Sequence, residues 1–161
     1  MNRFTLLFCI CLLFSSFSFA QTISDHAIGI RTGDNDGFGV EISYQYALSQ
    51  STRLEADLGI RSGNNYDGFK LTGLHQWVMP LDGSFHWYVG AGGGVGSYSL
   101  DNVPVGVDDS ETFFFIAGNA GIEYNFEIPL LLSLDVRPEF GFGDFNDDFD
   151  FDLGLGIRYQ F

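Results

Sequence analysis

The sequence predicts an all-β fold: an eight-stranded antiparallel up-and-down transmembrane β-barrel. Three observations carry that prediction. Apolar residues recur at every second position in stretch after stretch beyond residue 20, which is the period of a β-strand. The connections between the stretches alternate between tight turns and mostly longer, acidic segments. Every Lys and Arg beyond residue 20 lies on one face of the strands, while the other face is apolar or aromatic.

The first twenty residues, MNRFTLLFCICLLFSSFSFA, read differently. Arg3 supplies a basic start, Phe4 to Phe14 an apolar run, and Ser18-Phe19-Ala20 small residues at −3 and −1. That is the layout of a secretory signal peptide, too short in its apolar run for a comfortable membrane-spanning helix. An uncleaved N-terminal anchor is the alternative. The expected organisation is a signal peptide over 1–20 and one barrel domain over 21–161. Cys9 and Cys11 both lie in the signal, without the small residues of a lipoprotein cleavage site. No lipid anchor is expected, and the mature chain has no disulfide or cysteine metal site.

Strands are expected near 23–32, 38–48, 53–62, 69–79, 84–98, 112–126, 130–142 and 149–161. Most have the roughly 9–11 residues that a tilted transmembrane strand needs. One set of connections is tight: Ser49-Gln50-Ser51, Pro80-Leu81-Asp82-Gly83 and Glu127-Ile128-Pro129. The other comprises GDNDG (33–37), SGNNYDG (62–68), SLDNVPVGVDDSE (99–111) and GDFNDD (143–148). Short turns on one side and longer loops on the other is the layout of an outer-membrane barrel, with the short side in the periplasm. The last strand, FDLGLGIRYQF, alternates strictly to Phe161 and must pair with the first, because lipid tolerates no open sheet edge. Two positions resist the pattern. His75 falls on the apolar face, so a bulge or an error in the strand register is expected there, and Pro138 removes a ladder donor, so a bulge is expected near the outer rim.

The two faces decide between the two kinds of eight-stranded barrel. A soluble lipocalin-like barrel turns its apolar residues inward and its charges to water. Here the apolar face is too large and too aromatic for so narrow a lumen. Its aromatics also band by depth. Tyr44, Tyr46, Trp77, Phe85, Trp87, Tyr124, Phe126, Tyr159 and Phe161 sit beside the short turns. Phe38, Phe69, Phe114, Phe140, Phe142, Phe149 and Phe151 sit at the opposite ends. Two girdles flanking an aliphatic band are what interfacial aromatics form in a bilayer. The charged face then lines the lumen.

These features resemble the small eight-stranded outer-membrane barrels, the group that includes OmpX, Ail and the membrane domain of OmpA. The resemblance implies an outer-membrane location in a Gram-negative bacterium. It also implies that the last strand carries the signal read by the barrel assembly machinery, with Gly156, Tyr159 and Phe161 matching it. Gly154 stands where that signal usually has a polar residue.

Function is less legible than fold, since fold does not fix activity. The lumen charges are expected to form an ion-pair network of Arg31, Glu41, Arg53, Glu55, Asp57, Arg61, Glu123, Asp135, Arg137, Glu139, Asp152 and Arg158, joined by Asp25, Lys70 and Asp150. A narrow pore is the alternative, because Gly90, Gly92, Gly94 and Gly96 leave space, unless Phe113 and Phe115 fold over them. A lipid-modifying enzyme would need an acid–base pair at the outer rim, but His26, His75 and His86 all fall in the periplasmic half, with His86 expected to make a lumen hydrogen bond. The mature chain has six Lys/Arg against 21 Asp/Glu, a net charge near −15, which excludes nucleic acid as a default partner. The outer loops carry Asp34, Asp36, Asp67, Asp101, Asp108, Asp109, Glu111, Asp144, Asp147 and Asp148, with no Lys or Arg among them. Simple loop solubility, Ca²⁺ or Mg²⁺ binding at Asp144, Asp147 and Asp148, and attachment of a cationic ligand or surface protein are the readings left open. No other cofactor is expected. The expected partners are outer-membrane lipid, the assembly machinery and an extracellular ligand, around a monomeric barrel with a structural or surface-interaction role and no catalysis.

Overall fold

The computed structural model describes residues 23–33, 39–62, 66–100, 110–142 and 149–161. The leader, both cysteines, Phe38 and most of the loop carboxylates, including Asp144, Asp147 and Asp148, lie outside these residues. The described strands are β1 (His26–Thr32), β2 (Val40–Ala47), β3 (Thr52–Ser62), β4 (Tyr66–Asp82), β5 (Phe85–Leu100), β6 (Ser110–Asn125), β7 (Leu130–Phe142) and β8 (Phe149–Gln160). Each pairs antiparallel with its sequence neighbour, and β8 returns to β1, so the sheet closes as an eight-stranded barrel in chain order. At the seam Ile28 stands opposite Tyr159 and Ile30 opposite Ile157. The His26 and Phe161 amides and carbonyls exchange hydrogen bonds of 3.1 and 2.9 Å. The apolar run that ends at Phe161 is therefore covered on its hydrogen-bonding edge by β1.

Alternation along each strand sorts the side chains as the sequence predicts. In β8, Asp152, Gly154, Gly156 and Arg158 are buried, while Phe151, Leu153, Leu155, Ile157 and Tyr159 are exposed. Charges inside and apolar residues outside is the reverse of a lipocalin-like carrier.

Four details differ from expectation. Strands β4 to β6 run to 17, 16 and 16 residues, more than the bilayer requires. Tyr66, Asp67 and Gly68, read as loop, pair with Leu100, Ser99 and Tyr98. The turn expected at Pro80–Gly83 is tighter: Asp82 pairs with Phe85 across Gly83-Ser84, and the register shift between Pro80 and Asp82 leaves Leu81 as the irregular residue. Gly83 takes φ 55°, the left-handed geometry that tight hairpins demand and glycine supplies at no steric cost. No bulge exists at His75, which keeps regular register with Leu54 and Ala91. None exists at Pro138 either; the β6–β7 register is the same on both sides of it. Gly118 faces the proline, whose Cγ lies only 3.2 Å from where a Cβ would be, so the ring is accommodated without an extra residue.

Candidate functional site

The lumen gathers most of the charged side chains described. Inward positions bring Arg31 from β1, Glu41, Ser43 and Gln45 from β2, and Arg53, Glu55 and Asp57 from β3. Lys70 and Gln76 come from β4, Tyr88 from β5, and Asn119 and Glu123 from β6. Strand β7 adds Ser133, Asp135, Arg137 and Glu139, and β8 adds Asp152 and Arg158; all are buried. Burying such charges costs several kcal/mol each unless partners meet them.

They meet one another across the barrel. Arg31 donates through Nη2 to Asp135 at 2.7 Å and through Nη1 to Asp152 at 2.6 Å and Glu41 at 3.2 Å. Arg137 donates to Glu41 at 3.1 Å and also binds Asp57. Arg158 reaches Ser43 and Ser133, both at 2.8 Å, with Nη2 3.1 Å from Glu55. Gln45 supplies a further donor to Glu55. Nearer the short turns Arg53 holds Glu123 at 2.7 Å and Gln76 at 2.6 Å, and Gln76 passes the chain to Asn119 at 2.8 Å. Tyr88 lies beneath the Arg53 guanidinium, 4.9 Å from ring centre to Cζ, and donates to Asp135. Glu55 Oε1 and Asp57 Oδ1 have no hydrogen-bond partner among the described residues.

Above this layer the lumen turns apolar. Leu74, Phe113, Phe115 and Ala117 cluster there, with Tyr98 stacked on Phe113. Cβ atoms on Gly94 and Gly96 would overlap the rings of Phe115 and Phe113. The Gly94 and Gly96 part of the glycine ladder is thus filled by aromatics from the next strand, an arrangement that stabilises strand glycines, while Gly90 faces the Gln76 side chain and Gly92 the Gly73 backbone. Lys70 bridges the two layers, 2.7 Å from Glu139 and 4.8 Å above the Phe115 ring.

Two expected members sit elsewhere. Asp25 is exposed before β1, and Asp150 accepts the Phe151 N–H at 2.7 Å near the rim. The Arg61 side chain lies outside the described residues. His86 lines a cavity of about 10 Å³, room for about one water, with Arg53, Glu123, Asn125 and Gln160. Its buried Nδ1 has no hydrogen-bond partner among the described residues. Sequence reasoning also missed the neutral half of the network: Ser43, Gln45, Gln76, Tyr88, Asn119 and Ser133 share the parity of the charges, and that parity was the available signal.

On the outer wall, Tyr44, Tyr46, Trp77, Phe85, Trp87, Phe126, Tyr159 and Phe161 are exposed near the short turns. Phe85 meets Tyr124 edge-on at 4.7 Å, and Tyr124 meets Phe126 at 4.7 Å. His26 joins them, bonded to Tyr44 OH at 2.7 Å and stacked on Phe161 at 5.4 Å. His75 packs edge-on to Trp77 at 4.6 Å. Gly156 faces inward, and a Cβ there would overlap Ser133 and Arg158. Gly154 makes the same kind of room for the Arg31 guanidinium.

No protein-family model matches the sequence, and no curated protein sequence matches it. Solved structures do match. The N-terminal β-barrel domain of Pseudomonas aeruginosa OprF aligns over 86% of this chain and 98% of its own, with TM-score 0.64 and 16% identity. Neisserial surface protein A aligns over 84% and 94%, with TM-score 0.58 and 14% identity. Ail, the attachment invasion locus protein of Yersinia pestis, aligns over 86% and 97%, with TM-score 0.55 and 17% identity; it has also been solved with the heparin analogue sucrose octasulfate. Closed in chain order, charged within and apolar without, this chain has the fold of the small eight-stranded outer-membrane barrels.

Proposed function

We propose that the protein is an integral outer-membrane barrel whose lumen is sealed and whose role, structural or in surface interaction, is exercised at its loop rim. The observation that carries this reading is the lumen itself. Arg31, Arg53, Arg137 and Arg158 are each 1% exposed or less, and each is spent on carboxylates or hydroxyls of other strands, adjacent or across the lumen. Eight strands leave room only for side chains, and here side chains fill it. Planar-bilayer recording of the purified protein should show no conductance above the lipid baseline. Steady single-channel steps would overturn the sealed-lumen reading.

The reading includes no catalysis. His26 is engaged by Tyr44 and Phe161, His75 by Trp77, and His86 lies by the short turns, all remote from the loop rim. The outward aromatics at the two strand ends serve as interfacial girdles, and Gly156, Tyr159 and Phe161 as the assembly signal. At the rim, the loop carboxylates without Lys or Arg favour a cationic ligand or surface protein over a sulfated one of the kind seen with Ail. Barrels in nanodiscs should bind an immobilised oligolysine and ignore heparin, with binding lost at high salt. Preference for heparin would overturn the cationic reading. Calcium or magnesium at Asp144, Asp147 and Asp148 is a subsidiary part of it. Calorimetric Ca²⁺ uptake that Asp147→Asn/Asp148→Asn abolishes would support this metal, and absent uptake would remove it.

A further inference from the structure

We propose that the outer wall holds one phospholipid acyl chain in a groove over β6, on the side of the short turns. The groove is a shallow hollow, open to the outside, of about 350 Å³, lined by Trp87–Val89, Ala120–Ile122, Leu134–Val136 and Leu153. Its shape follows from the register. Val89, Ala120, Val136 and Leu153 stand in one outward row, and Trp87, Ile122 and Leu134 in the next. Ala120 is the smallest member, and Trp87, Leu134 and Leu153 rise around it, each at least 40% exposed.

The floor is rigid. Gly121 turns inward without a side chain, and the Tyr88 ring packs beneath it, 2.6 Å from where a Cβ would lie. Tyr88 is fully buried and donates to Asp135, so the polar ends of both residues point to the lumen and leave the groove apolar. A packed floor fixes the hollow's shape rather than letting it collapse. The inference rests on the outer wall facing bilayer, which the transmembrane fold supplies, and on the short turns facing the periplasm. The groove is continuous with that wall and opens towards the girdle of Phe85 and Tyr124, so hydrocarbon is what covers it. An unbranched hydrocarbon chain suits a shallow apolar hollow that offers no polar partner.

Native mass spectrometry tests this on full-length mature barrels released from bilayers of dioleoyl phosphatidylethanolamine and phosphatidylglycerol, with and without lipopolysaccharide. Wild type and Ala56→Leu, a matched change on the exposed wall of β3, should each retain one phospholipid. Ala120→Leu fills the trough, and retention should fall by roughly tenfold, the factor for about 1.4 kcal/mol of lost contact. The gel shift between unboiled and boiled samples shows whether each variant is a closed barrel, which separates loss of the site from loss of the fold. If Ala120→Leu does not fold, Leu134→Ala lowers one wall and should lose the lipid instead. Equal retention by wild type and the groove variants overturns the proposal, as does capture of lipopolysaccharide or of a second barrel in place of phospholipid.

Discussion

Arg53 on β3 and Glu123 on β6 face each other across the lumen in a two-point contact of 2.7 and 3.2 Å, 70 residues apart in sequence. Both are almost fully buried, so truncating one strands the other in a low-dielectric interior. Arg53→Met should cost about 3–5 kcal/mol of unfolding free energy, and Glu123→Leu a similar amount. The double variant should be much more stable than the sum predicts, because neither charge is then left alone. Urea unfolding in lipid vesicles, followed by tryptophan fluorescence, measures all four corners of the cycle. Additive losses would mean the pair is not coupled.

The plug above the network gives a second non-additive pair. The three nearest atoms to a Cβ on Gly96 all belong to the Phe113 ring. Gly96→Ala should therefore destabilise the wild-type barrel but cost far less in a Phe113→Ala background, where the ring is gone. Phe113→Ala alone should cost about 3–5 kcal/mol through the cavity it leaves. It should still not conduct, since the arginine layer below remains closed.

The faces of the strands were legible because a two-residue period needs only the sequence, and bilayer thickness and aromatic banding then assigned inside from outside. What could not be read is which inward residue meets which. Arg31 and Asp135 are 104 positions apart, and their meeting depends on barrel closure and stagger, not on local spacing. Pro138 misled for a related reason: it needs no bulge because Gly118, on the neighbouring strand, leaves room for its ring. His75 misled differently, since its partner Trp77 stands two residues on in the same strand and a histidine packed on an aromatic keeps its outward place without a bulge. The loop carboxylates, legible only as composition, leave the ligand a matter for experiment.

Gly154 carries a third prediction. It departs from the usual assembly signal, and the lumen supplies a physical reason: any Cβ there would overlap the Arg31 guanidinium. Gly154→Ser should push Arg31 off Asp152 and Asp135 and cost on the order of the 3–5 kcal/mol of a broken buried pair. The folded fraction on an unboiled gel should fall accordingly. A serine that improved folding would show that the assembly signal outweighs the lumen contact.

The last prediction concerns the wall. Leu155 lies midway along β8, outward and 42% exposed, whereas Phe149 begins the strand at its loop end, 56% exposed. In water the two positions would accept arginine about equally. Against a bilayer the cost depends on depth, about 2–4 kcal/mol for arginine near the midplane and about 0–1 near an interface. Leu155→Arg should therefore unfold at clearly lower urea than Phe149→Arg in vesicles of the same lipid. Equal midpoints would place both residues in the same medium and remove the bilayer from the outer face.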